Sequence, residues 1–308
     1  MPSGRAIAAL LAASVLLPLV LRNTIATEIW IFAILALAFN LLLGYTGLLS
    51  FGQATFSGIA CYVAGLLLKH YGLSLVLVLP IGILAGALSA ALVGAFCIQR
   101  VGLYFIMLTF AFNQMAYFIA YQWTDLTGGE DGLPGVPRPP FLDSGLAFYA
   151  FTTASFFLTV LVMKRITDSP FGLILQAIRE NQARAAAVGY DVKRYKWLAF
   201  TIAGAVSGLG GVLYAMLFGI VPLAAIHWLR SGDIVFMTLI GGSGSLYGPI
   251  IGAAVYTVLS ESVSRYWDRW PILLGLAFVL VVLFFRGGCV EAWQRVRALV
   301  ARREADAA

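Results

Sequence analysis

Long apolar runs separated by short polar or glycine-rich breaks dominate this chain. A bilayer core about 30 Å thick is crossed by roughly 20 residues of helix. On that ruler the runs predict spans at residues 7–21, 29–43, 54–68, 75–98, 103–121, 146–163, 197–221, 250–264 and 271–285. The expected fold is an all-α polytopic membrane protein of about 8–10 transmembrane helices, with residues 1–308 forming a single transmembrane domain. The first run, preceded by Arg5, reads as a helix that is kept or as a cleaved signal peptide. The lack of a small-x-small site followed closely by a polar start favours the helix.

Two breaks fall inside otherwise apolar sequence, Gly44 to Gln53 and Ser231 to Gly248, and these are expected to be broken or half helices. The glycine clusters Gly44, Gly47, Gly52 and Gly241, Gly242, Gly244, Gly248 have similar spacing. Paired interruptions in two halves of a transporter point to a substrate path; interfacial turns with glycine at positive φ are the alternative. A half-helix entered through Ser231 or Asp233 as N-cap would supply the extra crossing between residues 221 and 247 that the charge pattern requires. Polar residues within spans are few: Asn40, Asn113 and Gln114, with Ser50 and Gln53 beside the first break. They line a path or join helices by hydrogen bonds. Gly204, Gly208, Gly211 and Gly252 read as close-packing positions.

Charge sets the orientation. Residues 164–196 hold Lys164, Arg165, Arg179, Arg184, Lys193, Arg194 and Lys196, and the tail 286–308 holds Arg286, Arg295, Arg297, Arg302 and Arg303. Both are expected in the cytoplasm. The loop 123–145 carries Asp125, Glu130, Asp131 and Asp143 against Arg138 alone, which suits the opposite face. Within the basic segment, Ser169 and Pro170 open a helix whose apolar positions Phe171, Ile174, Leu175 and Ile178 recur at helical spacing. Small residues carry it to a stop at Gly189. Its two faces fit a docking helix for a soluble subunit or a helix lying on anionic lipid.

Composition then excludes whole classes. With 61% hydrophobic and 11% charged residues and a mean hydropathy of +0.92, the chain cannot dress a water-soluble surface. Cys61 and Cys97 lie in apolar runs and Cys289 leaves an odd count, so bridges are not expected. His70 and His227 have no second ligand nearby, so neither is a metal. The net charge of +6 lies between spans and not along a face, which argues against nucleic acid. Glu261, Arg265, Asp268 and Arg269 with Trp267 and Trp270 read as an interfacial anchor. None of the 14 acidic residues sits clearly at mid-membrane, as an ion-driven secondary transporter would ordinarily need, and no catalytic constellation suggests an enzyme.

The stretches 40–53 (NLLLGYTGLLSFGQ), 126–137 (LTGGEDGLPGVP), 169–172 (SPFG) with 177–182 (AIRENQ), and 241–249 (GGSGSLYGP) together resemble the branched-chain amino acid ABC transporter permeases of the LivM type. The likeness spans roughly residues 40–285. It implies a multi-pass permease of a bacterial inner membrane, pairing with a homologous second permease subunit, two cytoplasmic ATPase subunits and a periplasmic solute-binding protein. It also implies a coupling segment over residues 169–189, carrying Arg179, Glu180, Asn181, Ala183, Ala185, Ala186 and Gly189. Consistently, the chain has no G-x-x-x-x-G-K-[ST] loop, so no cofactor is expected on it and ATP belongs to its partners. Glu130 and Asp131 stand where the family more often has uncharged residues. Urea and short-chain amide permeases share the motifs, which keeps those solutes as the alternative.

Overall fold

The computed structural model describes residues 4–266 together with 269, 271–273, 275, 276 and 279. Its helices, in order, are α1 (Gly4–Val20), α2 (Asn23–Asn40), α3 (Gln53–His70), α4 (Leu75–Cys97), α5 (Leu103–Gln122), the single turn α6 (Thr124–Thr127), α7 (Gly145–Thr167), α8 (Pro170–Glu180), α9 (Gln182–Ala187), α10 (Val192–Phe218), α11 (Trp228–Gly241) and α12 (Gly248–Ser264). By length and composition, five stretches among the described residues suffice to cross a membrane: Asn23–Thr46, Leu75–Cys97, Leu103–Gln122, Gly145–Thr167 and Val192–Phe218. The chain is an all-α polytopic membrane protein. The expected last span, 271–285, and the tail 286–308 with Cys289 lie largely outside the described residues, as do Trp267, Asp268 and Trp270 of the expected anchor. Of that group Glu261 and Arg265 form an ion pair at 3.7 Å.

Apolar sequence on every side of a helix demands neighbours on every side, and α2 has them. The stretch Asn23–Thr46 is 89% buried, against 28% for α4 and 22% for α5. α2 therefore forms the axis, enclosed by α7, α10, α11 and α12, while α4 and α5 keep apolar faces outward. Among the close contacts, α4 and α10 meet backbone to backbone. A Cβ on Gly86 would lie 2.5 Å from the Gly204 carbonyl oxygen and 2.8 Å from Gly208 Cα. Gly211 meets Ser57 and Gly252 meets Met237 in the same manner.

The acidic loop is tied down at one end of the bundle. Leu133 and Pro134 (β1, Leu133–Pro134) pair antiparallel with Val221 and Ile220 (β2, Ile220–Val221). Arg138 donates from Nε to the Met216 carbonyl (2.6 Å) and from Nη2 to that of Leu217. These are carbonyls that the end of α10 leaves without helical partners, at the negative end of its dipole. The same guanidinium sits 5.0 Å from the Phe148 ring of α7.

Three expectations are corrected. The basic segment is not one helix: it breaks at Asn181, whose backbone is extended (φ −157°, ψ 103°) and whose side-chain oxygen accepts from Arg184 N at 2.9 Å to cap α9. Asparagine offers the backbone this local alternative to a continuing helix. The half-helix α11 starts earlier than Ser231 or Asp233. His227 is its N-cap, accepting from Leu229 N at 3.3 Å, because the 3-10 turn Leu223–Ala225 returns the chain to the bundle before Ser231 is reached. Ser169 precedes α8 as expected, yet its hydroxyl donates to the Ile166 carbonyl (2.7 Å) and not as a cap.

The α4–α10 contact is testable. Gly86→Ala is expected to lower stability by about 1–3 kcal/mol through overpacking against backbone, whereas Gly232→Ala, with no atom within 4 Å of the new Cβ, is expected to be neutral or slightly stabilising. Thermal unfolding of the purified protein in detergent separates the two.

Candidate translocation site

The sequence-flagged residues gather at two levels. At the end of the bundle nearer the basic segment, α2 passes into a π-helical stretch, Leu41–Thr46, which ends at Gly47 with φ +71°. The widened turn leaves carbonyls out of α-helical register. Asn40, 1% exposed, reaches across to the other break: its Nδ2 donates to the Ser245 carbonyl (2.9 Å) and its Oδ1 accepts from Gly244 N (2.9 Å). Gly44 permits this approach, since a Cβ there would collide with Asn40 Oδ1 and lie 2.6 Å from Gly244 N. Arg179 of α8 completes the junction by donating from Nη1 to the Gly44 carbonyl, and its side chain lies against Gly47 and Gly244. Gly241 packs against the Gly248 carbonyl, holding the end of α11 to the start of α12. The structure thus brings together Asn40, Gly44, Gly47, Gly241, Gly244 and Arg179.

The second level lies where α3 and α11 begin. Ser231, about ten residues or 15 Å along α11 from Gly241, donates to the Phe51 carbonyl (2.7 Å) and accepts from Ala54 N (3.0 Å). A side chain of α11 therefore serves the start of α3. Phe51 N donates to Thr109 Oγ1 (3.2 Å) and Gly52 N to Ser50 Oγ (3.1 Å). Gln53 accepts from Ser207 Oγ at 2.6 Å; Asn113 donates to Thr55 Oγ1 (2.8 Å) and to the Ile226 carbonyl (3.0 Å). Gln53 Nε2, Asn113 Oδ1 and Gln114 Oε1 are buried with no hydrogen-bond partner among the described residues. Tyr62 Oη, Thr152 Oγ1 and Thr153 Oγ1 are unpartnered as well, against the usual pairing of buried polar atoms.

The residues expected to form a coupling segment divide by position. α8 buries Gly172, Leu175 and Ile178 against the protein, so its apolar face is not free for lipid. Beyond Asn181, Gln182, Ala183, Arg184, Ala186 and Gly189 are exposed and Ala185 alone turns inward. Gly189, at φ +100°, has nothing within 4 Å of a Cβ position. Arg179 and Glu180 are both exposed, but Arg179 reaches back to the Gly44 carbonyl.

Sequence reasoning missed a charged cluster. Arg230 donates to the Tyr214 hydroxyl (2.6 Å), lies 4.9 and 5.0 Å from the Tyr214 and Phe32 ring centroids, and pairs with Asp233 at 4.0 Å. It borders a cavity of about 10 Å3, room for one water, with Leu35, Ser57, Cys61, Gly211, Tyr214 and Ala225. Asp233 thus stands on a packed helix, paired with an Arg230 that two aromatic rings flank. The sequence signal was Arg230 itself, alone among Lys and Arg between Lys196 and Arg265.

A bundle enclosing two interrupted segments whose helix starts converge on buried, partly unpaired polar groups is the architecture of a membrane permease. The chain belongs to the family described as "Branched-chain amino acid transport system / permease component", which matches residues 21–286. It is a transporter subunit and not an enzyme. It is 29% identical to the high-affinity branched-chain amino acid transport system permease protein LivM of Escherichia coli (strain K12), over 90% of this chain and 72% of the relative. It is 24% identical to a probable branched-chain amino acid transport permease protein LivM of Methanocaldococcus jannaschii, over 83% and 85%, and 27% identical to the autoinducer 2 import system permease protein LsrC of Enterobacter sp. (strain 638), over 73% and 68%. No solved structure matches.

Asn40→Ala removes both bonds to residues 244 and 245 and leaves a buried N–H and C=O unpaired. The expected loss is about 2–4 kcal/mol, read as a lower midpoint in thermal unfolding, with Asn40→Asp at least as damaging because a buried carboxylate oxygen would face the Ser245 carbonyl.

Proposed function

We propose that this permease carries branched-chain amino acids inward across a bacterial inner membrane, driven by ATP bound on two cytoplasmic ATPase subunits, beside a homologous second permease subunit and fed by a periplasmic solute-binding protein. The basic segment 164–196 and the tail lie in the cytoplasm. The chain itself holds no cofactor. The names of the LivM relatives support the solute, and the distribution of Lys and Arg supports the orientation.

One observation carries the mechanism: the Arg179 bond to the Gly44 carbonyl, which joins the cytoplasmic segment directly to both breaks. α9 and Gly189 present a small, sharply ended surface of the kind that seats in a groove of an ATPase. Movement of the ATPases then displaces α9, the Asn181 break transmits it to α8, and Arg179 passes it to the π-turn and the 242–247 loop. The polar groups of Ser50, Gln53, Asn113 and Gln114 line the level that this movement opens.

Deleting the gene and restoring it, with ATP kept and ion gradients collapsed, should abolish and recover uptake of labelled leucine. Unchanged uptake once redundant leucine systems are removed would shift the solute to urea or a short-chain amide, or to autoinducer 2 as in the Enterobacter relative's name; recovered uptake that vanishes with the gradients would overturn the ATP-driven reading. Gly189→Val places a β-branched residue at φ +100°, and ATP-driven uptake is expected to be lost while membrane insertion persists. Arg179→Gln is expected to leave ATP hydrolysis by the reconstituted complex in place while uptake falls by about tenfold or more, the worth of a charge-assisted bond. Parallel loss of both activities would remove Arg179 from the transmission path.

A further inference from the structure

On the outside of the bundle, at the basic end, a groove of about 300 Å3 opens between the end of α4 and the start of α10. Gly94, Ala95, Ile98 and Trp197 form its floor; Gln99, Lys193 and Arg194 form its rim. The floor is built with care. Trp197 lies against Gly94, where a Cβ would sit 3.3 Å from the indole, and its Nε1 donates to the Ala91 carbonyl at 2.9 Å. The indole is thus held with its polar edge satisfied and its apolar face at the groove, the amphipathic placement favoured where lipid meets water.

Three properties of the rim and surroundings point to one kind of ligand. Lys193 and Arg194 are exposed and neither is ion-paired among the described residues. Arg100 is exposed one residue past Gln99, and the carboxylate beside them, Asp191, is engaged as the α10 N-cap, accepting from Arg194 N at 3.1 Å. Three cations thus stand against one acid, and the positive end of the 27-residue α10 adds to them. Away from the rim, the floor continues along α4 into Phe96, Leu92, Leu88 and Leu84, spaced by four and 59, 59, 67 and 57% exposed. A stripe of that length and exposure on a membrane helix faces acyl chains.

We propose that this groove binds one anionic phospholipid, its phosphate on Lys193 and Arg194 and an acyl chain along Ala95, Phe96 and Leu92. A basic notch between membrane helices recognises such headgroups by charge, each nearby cation adding to the attraction. A soluble partner would meet a polar surface here, and the apolar floor running into the lipid-facing stripe favours the lipid. The site stands apart from the translocation reading, and depends on the proposed orientation only for the leaflet that supplies the lipid.

The test counts phosphatidylglycerol retained on the purified full-length permease after detergent delipidation, by native mass spectrometry, against phosphatidylcholine as the neutral probe. The wild type is expected to keep one phosphatidylglycerol and no phosphatidylcholine. Lys193→Gln with Arg194→Gln is expected to weaken retention by about 20-fold, two surface cations' worth. Ala95→Trp, which fills the groove at unchanged charge, should also release the lipid. Lys164→Gln with Arg165→Gln removes equal charge at the end of α7 and should leave retention intact. Equal loss in both charge variants, or retention in Ala95→Trp, would reduce the site to diffuse attraction and overturn the proposal. So would a groove variant that keeps its lipid but no longer co-purifies with the ATPase subunits, since the cations would then face protein. Monodisperse elution of each variant shows that the comparison is between folded proteins.

Discussion

Peptide groups that leave a helix inside a bilayer must be bonded by protein, because the surrounding hydrocarbon offers nothing. Here one asparagine meets that demand for two segments. Asn40 stands at the last α-helical turn of α2 and holds the backbone of residues 244 and 245 with both ends of its amide. The neighbouring glycines are consequences of that contact. Gly44 must lack a side chain for the amide to pass, and Gly244, at φ +90°, adopts the backbone that presents its N–H. The burial of α2 on all sides follows as well, since a helix that organises both breaks has to be reached from both.

The long apolar helices were legible because length and hydrophobicity alone dictate them; the limits of α4 and α5 agree with the apolar runs to within a residue. The breaks were legible as breaks, since glycine clusters interrupt apolar sequence rarely. Their mutual contact was not, because it depends on a polar side chain crossing some 200 positions of sequence, and no periodicity encodes a partner. The same limit applies to Ser231, which looked like the cap of its own helix and serves instead at the start of α3. Asn181 shows a subtler failure: small, helix-favouring alanines follow it, yet its own side chain wins the competition for Arg184 N. The candidate path residues fell on two levels and not one, a separation set by the rise of α11 and invisible in a list of polar positions.

The charged group around Arg230 was hidden for a different reason. A segment of 14 residues is too short to announce itself as a full membrane helix, so Asp233 read as a cap at its start and Arg230 went unnoticed. Once α11 is packed against α2 and α12, with Tyr214 of α10 in reach, the guanidinium has two aromatic faces, a phenol and a carboxylate around it. Such an arrangement makes a buried cation tolerable and fixes α11 against its neighbours in one register.

The bonds from Arg138 to the last carbonyls of α10, together with the short ribbon between residues 133–134 and 220–221, bear on leverage. They pin one extremity of a 27-residue rod that is also locked along its glycines to α4. A rod of that length measures roughly 40 Å, so a tilt of about 5° about the pinned extremity sweeps the free one through about 3.5 Å. The acidic loop thus sets where a tilt of α10 would pivot, and a small angle there would be magnified into atomic-scale displacement at the opposite surface.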